Sequence, residues 1–207
     1  MLRHKIKIVY SRQGDLRFIS HLDTLRMFMR AFRRAGLDLR LTEGFNPHPR
    51  VSFALPLSVG VESMCEAMFI ETERAYEPEE IVDKLSVVLP KGIEIVSAET
   101  AAPGGSHPVE VEYEVTLPQD ADTKLIAAKI EDAMSRQTIE VTRTRKKGSK
   151  TIDLRPLIKS LTLKGGKVYM KLRVTAGGTA KPNEVLQVVD APNARALRVM
   201  RTALHLT

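Results

Sequence analysis

A nine-residue stretch, Thr100-Ala101-Ala102-Pro103-Gly104-Gly105-Ser106-His107-Pro108, constrains the fold of this chain more than any other. Its two prolines and two glycines suit a linker and disfavour both helix and strand. It cuts 207 residues into halves of about 100, each long enough to bury its own core. Hydrophobic residues make up 43% of the chain, enough for two cores, yet no apolar run approaches the ~20 residues of a bilayer span.

Each half reads as alternating strands and helices. In the first, Lys5 to Phe18 has strand character, with Ile6, Ile8 and Tyr10 on one face and Ser11 to Asp15 as a turn or bulge. Ser20 and Asp23 open a helix that places Leu22, Leu25, Met29 and Phe32 on one face, and Gly36 stops it. Strands are expected at Leu37 to Leu41, Val51 to Val61 (interrupted by Pro56), Glu66 to Glu73 and Ile93 to Ala98, with a helix from Pro78 to Leu89.

The second half begins with a strand at Val109–Leu117 and a helix at Asp120–Ser135. Strands follow at Thr138–Arg145 and Lys150–Leu154, then a hairpin at Leu161–Val174 turning at Lys164-Gly165-Gly166. A short helix covers Pro182–Val189, and Arg198–Leu206 fits either strand or helix. The expected architecture is α+β: two tandem ferredoxin-like (βαββαβ-type) halves with antiparallel sheets, at residues 1–100 and 107–207.

The net charge of +7 is unevenly spread. Residues 1–50 carry 11 Lys/Arg against 4 Asp/Glu, residues 51–140 carry 6 against 18, and residues 141–207 carry 15 against 3. Two basic ends around an acidic middle form the footprint of a nucleic-acid binder, although solvated surface charge gives the same composition. The single cysteine, Cys65, excludes an internal disulfide and a cysteine-held zinc or iron–sulfur centre. No cofactor, no metal and no membrane association is expected, and the N-terminal residues lack the apolar core of a signal peptide, so the chain reads as cytoplasmic.

Several groups are candidates for chemistry. Ser20 and His21 open a helix whose unpaired N–H groups favour an anion, with Arg17, Arg26 and Arg50 available to them. Arg26, Arg30, Arg33 and Arg34 form a basic stripe on that helix. Two prolines restrain His48 in Asn46-Pro47-His48-Pro49, beside Arg50. Arg143, Arg145, Lys146, Lys147 and Lys150 crowd a hairpin tip that suits a phosphate backbone. Gly177, Gly178 and Lys181 have the composition of a backbone anion nest. An ordinary N-cap, a structural turn and solvated charge are the plain alternatives.

Taking the Asn46–Pro49 loop to lead into the third strand of the fold puts His48 on one rim with Ser20 and His21, where His21 and His48 become a candidate acid–base pair. Metal binding by His21, Asp23 and His48 is not expected, because positions i and i+2 diverge on a helix.

Phe18-Ile19-Ser20-His21-Leu22-Asp23, Glu43-Gly44-Phe45-Asn46-Pro47-His48-Pro49-Arg50-Val51-Ser52-Phe53, Pro56-Leu57-Ser58-Val59-Gly60-Val61-Glu62-Ser63, Asp153-Leu154-Arg155-Pro156 and Lys181-Pro182-Asn183-Glu184-Val185-Leu186 resemble the radical SAM-linked domain of unknown function. Lys181 and Asn183 stand where that family's pattern has Arg and Asp. The resemblance implies an accessory role beside a radical SAM enzyme, with RNA or a ribonucleoprotein as partner, and carries no assigned catalytic residue. The radical enzyme itself needs three cluster cysteines, which this chain lacks. The leading expectation is an accessory RNA-binding or substrate-presenting protein in RNA or ribosome modification. The alternatives are a metal-independent ribonuclease or RNA-modifying enzyme using His21 and His48, and a protein–protein adaptor.

Overall fold

A computed structural model of the chain describes residues 4–101, 106–145, 148–194 and 196–207, with the side chain of Arg145 excepted. The chain divides into two compact units, residues 1–107 with Thr207, and residues 108–206. Of the expected linker, residues 102–105 lie outside the described residues. The fold is α+β, with four α-helices among the described residues.

The first unit contains β1 (His4–Arg12), a 3-10 turn (Gly14–Phe18), α1 (His21–Arg34), β2 (Val51–Phe53), β3 (Val61–Thr72), α2 (Pro78–Ser86) and β4 (Ile93–Thr100). Strand β1 pairs antiparallel with β3 on one side and β4 on the other, and β2 pairs antiparallel with the outer edge of β3. The order β4-β1-β3-β2 with this connectivity is that of a ferredoxin-like sandwich. Alternation in β1 turns Ile6, Ile8 and Tyr10 to the core, where they meet Met68 and Ile70 of β3, Phe28 and Phe32 of α1, and Ile81 and Leu85 of α2.

Helix α1 starts at Ser20, whose side chain accepts from the Asp23 N–H. It ends in a Schellman motif: Leu37 N–H reaches Phe32 O and Gly36 N–H reaches Arg33 O, with Gly36 at φ +64°. Its buried face differs from the expected one. Thr24, Phe28, Ala31 and Phe32 are buried, whereas Leu22 is 61% exposed. The aromatic pair Phe28/Phe32 takes the centre of the contact, stacked at 5.9 Å, which turns the first-turn leucine outward.

Two expected strands shrink. Leu37 to Leu41 is the arm of a hairpin, paired through the isolated bridges Leu39–Thr72 and Leu41–Pro49. Past Phe53 the backbone leaves the sheet and re-enters it at Val61, five residues earlier than expected. The reason lies in Glu62, Ser63 and Glu66, which are polar yet buried and so mask the strand's hydrophobic pattern.

The second unit contains β5 (Pro108–Thr116), α3 (Thr123–Ser135), β6 (Glu140–Arg145), β7 (Gly148–Asp153), a 3-10 turn (Arg155–Leu157), β8 (Ile158–Lys164), β9 (Lys167–Arg173), α4 (Pro182–Val188) and β10 (Val199–Leu206). Antiparallel pairing gives the order β10-β5-β9-β8, again ferredoxin-like, with the β6–β7 hairpin inserted between the first helix and the second strand. Val111, Tyr113 and Val115 alternate inward from β5 to meet Val168, Met170 and Leu172 of β9. The motif Asp153-Leu154-Arg155-Pro156 is structural: Asp153 accepts from Ile139 N–H at 2.7 Å and Arg155 N–H at 2.9 Å. The Arg155 guanidinium donates to the carbonyls of Met134, Arg136 and Ile158.

Candidate nucleic-acid interface

Helix α1 buries its aromatic face and so turns its arginines outward. Arg26, Arg30, Arg33 and Arg34 line a groove of about 580 Å³ together with Asp23, Met27 and Pro90. Arg26 contacts Asp23 at 3.2 Å and Arg34 donates to the Val88 carbonyl. Arg30 and Arg33 are exposed and make no ion pair among the described residues. Free guanidiniums on a fixed helix face can fork onto phosphate oxygens without first breaking a bond to protein.

A second feature is the hairpin of residues 37–50, whose arms are joined by Arg50 N–H to Arg40 O and Thr42 N–H to His48 O, both 2.8 Å. His48 N–H donates to Thr42 Oγ1 at 3.1 Å. Its Nδ1 lies 3.0 Å from Thr42 Oγ1 and 3.3 Å from the Asn46 carbonyl, which can only accept. Under the hairpin, Lys5, His48, Arg50, Ser52 and Glu71 line a cleft of about 240 Å³.

The two histidines are not neighbours. The Asn46–Pro49 loop leads into β2, not into the third strand of the sheet. Because β2 and β1 both run antiparallel to β3, they run the same way, so β2 begins at the entry end of β1 while α1 begins beyond its exit. His48 accordingly shares a cleft with Lys5. His21 packs edge-on against Phe53, at the far end of β2, with ring centroids 4.9 Å apart. The extended segment from Pro49 to Phe53 spans about 13 Å. The expected common rim, and with it a His21–His48 acid–base pair, does not form.

Other expected binding residues are committed within the protein. Ser20 Oγ caps α1 and donates to Asp23 Oδ2 at 2.7 Å, and this carboxylate occupies the helix start in place of an outside anion. Arg17 pairs with buried Glu62 at 3.5 Å and covers the Phe18 ring at 4.5 Å, and Arg50 faces Glu71 at 3.8 Å. Arg143 grips Glu184 through two bonds of 2.6 and 2.7 Å and the Thr179 carbonyl at 2.8 Å. No anion nest forms at Gly177 and Gly178, because Thr175 and Gly178 bond each other, and Glu184 accepts from the Lys181 N–H at the start of α4. Lys150 is exposed opposite Arg143 in the β6–β7 register. Lys146, Lys147 and the Arg145 side chain lie outside the described residues.

Glu110, Glu112 and His205 bring ligand atoms within 4.8 Å of one another on β5 and β10. Lysines pair with the two glutamates: Lys159 reaches Glu110 at 2.6 Å, and Lys171 reaches Glu112 at 2.9 Å and Glu110 at 3.2 Å. The bond from Lys159 holds the Glu110 carboxyl below the usual glutamate range, and the bond from Lys171 does the same for Glu112. On this face Lys159 and Lys171 are thus engaged by Glu110 and Glu112.

Phe45 and Arg12 do not stand out in the sequence. Phe45 sits at the tip of the 37–50 hairpin with its ring fully exposed. Arg12 is buried at the end of β1, donating to Thr24 Oγ1 and to the carbonyls of Ser58 and Val61. Glu43 to Arg50 reads as a turn-rich loop from sequence; the full exposure of Phe45 at its tip is a property of the folded hairpin.

A search of curated proteins returns no match. Among solved structures, the small subunit of acetolactate synthase from Thermotoga maritima aligns at 12% identity and a TM-score of 0.26, covering 100% of this chain and 97% of that one. An unknown protein from Galdieria sulphuraria aligns at 13% identity and 0.31, covering 100% and 99%. The first two RRM domains of the yeast poly(U) binding protein (Pub1) align at 12% identity and 0.24, covering 95% and 99%. No helix among the described residues is long and apolar enough to cross a membrane. The model of the family described as "Uncharacterized protein conserved in bacteria (DUF2344)" matches residues 5–185, and the chain belongs to that family.

Proposed function

We propose that this chain is a non-catalytic accessory protein that binds RNA along the arginine face of α1 and presents it to a radical SAM enzyme acting on RNA or a ribonucleoprotein. The observation that carries the RNA-binding part is the groove of Arg26, Arg30, Arg33 and Arg34, in which Arg30 and Arg33 have no carboxylate partner among the described residues. A polyanion is the ligand that such a groove attracts most strongly, since each phosphate contact releases condensed counterions. The radical SAM partner rests on the sequence resemblance alone. The enzymatic alternative loses its support, because His21 and His48 occupy different ends of β2.

Fluorescence anisotropy with a labelled single-stranded RNA, repeated across a salt series, tests the binding reading. Wild-type affinity should fall steeply with salt, and Arg30→Gln with Arg33→Gln should flatten the slope by about 0.7 for each phosphate that no longer meets an arginine. An unchanged slope and affinity in the double variant removes α1 from the interface. Co-purification of the chain with a radical SAM protein tests the partner, and its failure leaves the RNA result standing.

A further inference from the structure

We propose that Phe45 is a base-stacking residue, so that the RNA is single-stranded where it meets the 37–50 hairpin; this rests on the RNA-binding reading above. The chain has six phenylalanines. Phe28, Phe32 and Phe53 belong to one aromatic cluster with Tyr10 and His21. Phe69 lies under Lys5 at 4.9 Å, and Phe18 lies under Arg17 at 4.5 Å. Phe45 alone makes no ring or cation contact among the described residues, and its relative exposure is 106%. Phe18 is also exposed, at 57%, but the Arg17 guanidinium covers its ring.

The ring is exposed on a braced support. Below it, Arg50 bonds Arg40, and Thr42 holds His48 through its backbone N–H and through its hydroxyl. Pro47 and Pro49 restrict the returning arm. A braced tip loses little freedom on binding, which is what a stacking platform needs.

Charge identifies the occupant. The hairpin arms carry Arg40 and Arg50, and Lys5 lines the cleft beneath; Arg50 faces Glu71, and Glu43 lies near the tip. Arg40 makes no ion pair among the described residues. An aromatic ring above cationic groups is the arrangement that receives a base and its phosphate together. A duplex keeps its base faces stacked internally and offers none to a protruding ring, so the arrangement selects unpaired nucleotides. On the outer face of β5 and β9, the exposed ring of Tyr169 lies opposite Glu114, and the lysines there are in ion pairs with Glu110, Glu112 and Glu114.

The chain contains no tryptophan, so Phe45→Trp gives a single reporter at the tip. Its emission is followed while unlabelled oligo(U), oligo(A) or their duplex, each of about 12 nucleotides, is titrated in. Saturable quenching by both single strands and none by the duplex is expected. Phe45→Ala should weaken single-strand binding by roughly 5- to 150-fold, the value of one base–aromatic stack, while Phe45→Trp keeps wild-type affinity. Full single-strand affinity in Phe45→Ala with no quenching in Phe45→Trp overturns stacking and leaves RNA binding along α1 intact. Equal quenching by the duplex overturns the single-strand selection. Emission that responds to a co-purified protein but not to RNA assigns the ring to a protein pocket and overturns the proposal. Failure of the wild type to bind any RNA overturns both readings.

Discussion

Replacing Arg143 with alanine should destabilise the second unit and leave RNA affinity unchanged, against the expectation drawn from the basic run in which it lies. Its guanidinium makes two bonds to Glu184 and one to the Thr179 carbonyl, and both charged side chains are only 15% exposed. Truncation leaves the Glu184 carboxylate with the Lys181 N–H at 2.9 Å in place of a fork. Breaking a fully buried pair costs about 3–5 kcal/mol and an exposed one about 0.2–1 kcal/mol; this pair, mostly buried, falls between them at about 2 kcal/mol. In a unit of about 100 residues that lowers the unfolding midpoint by roughly 10 °C. Burial pushes the Glu184 carboxyl up, but Arg143 and the Lys181 N–H outweigh it and hold the group below the usual glutamate range. The unfolded chain therefore takes up the proton first as pH falls. The pair's contribution is complete above the ordinary glutamate value and is lost as pH drops through the lowered one. Thermal unfolding of wild type and Arg143→Ala, monitored by circular dichroism, should show a gap that is widest near neutral pH and closes on acidification. Equal stability at neutral pH combined with lost RNA affinity would refute the reasoning and return Arg143 to the interface.

Gly92→Ala should cost about 1–3 kcal/mol, because its Cβ would lie 2.8 Å from the Gln13 carbonyl oxygen and the backbone sits at φ +98°; urea denaturation reads this directly. Ser20→Ala should lose about 1 kcal/mol of stability as a missing N-cap, with no change in RNA affinity, since Asp23 and not a phosphate uses that hydroxyl. His21→Ala and His48→Ala should be additive in any functional or stability assay, as expected for side chains at opposite ends of β2. A coupling larger than about 0.5 kcal/mol would restore a shared site.

What the sequence made legible was local. The alternation of Ile6, Ile8 and Tyr10, the cap at Ser20, the stop at Gly36 and the Gly165-Gly166 hairpin turn are each decided within a few residues, and each matches the fold. The basic stripe on α1 was legible for the same reason, since helical spacing alone puts Arg26, Arg30 and Arg33 together. Distant pairing was hidden. Glu184 lies 41 positions from Arg143, and nothing near Arg143 distinguishes a structural arginine from one meant for phosphate. The misplacement of His48 has a topological cause: Leu37 to Leu41 has strand composition but forms a hairpin arm, which shifts the following segment from the third strand of the sheet to the second. That single displacement reverses the rim on which the loop emerges.

RNA bound as proposed contacts both the arginine face of α1 and the tip of the 37–50 hairpin. Photocrosslinking to a single-stranded RNA carrying 4-thiouridine, followed by mass spectrometry of the adducts, tests it most directly. Adducts on residues 21–34 and on Phe45, both suppressed at high salt, are expected. Adducts confined to the outer face of β5 and β9, or to the start of α4, would contradict it.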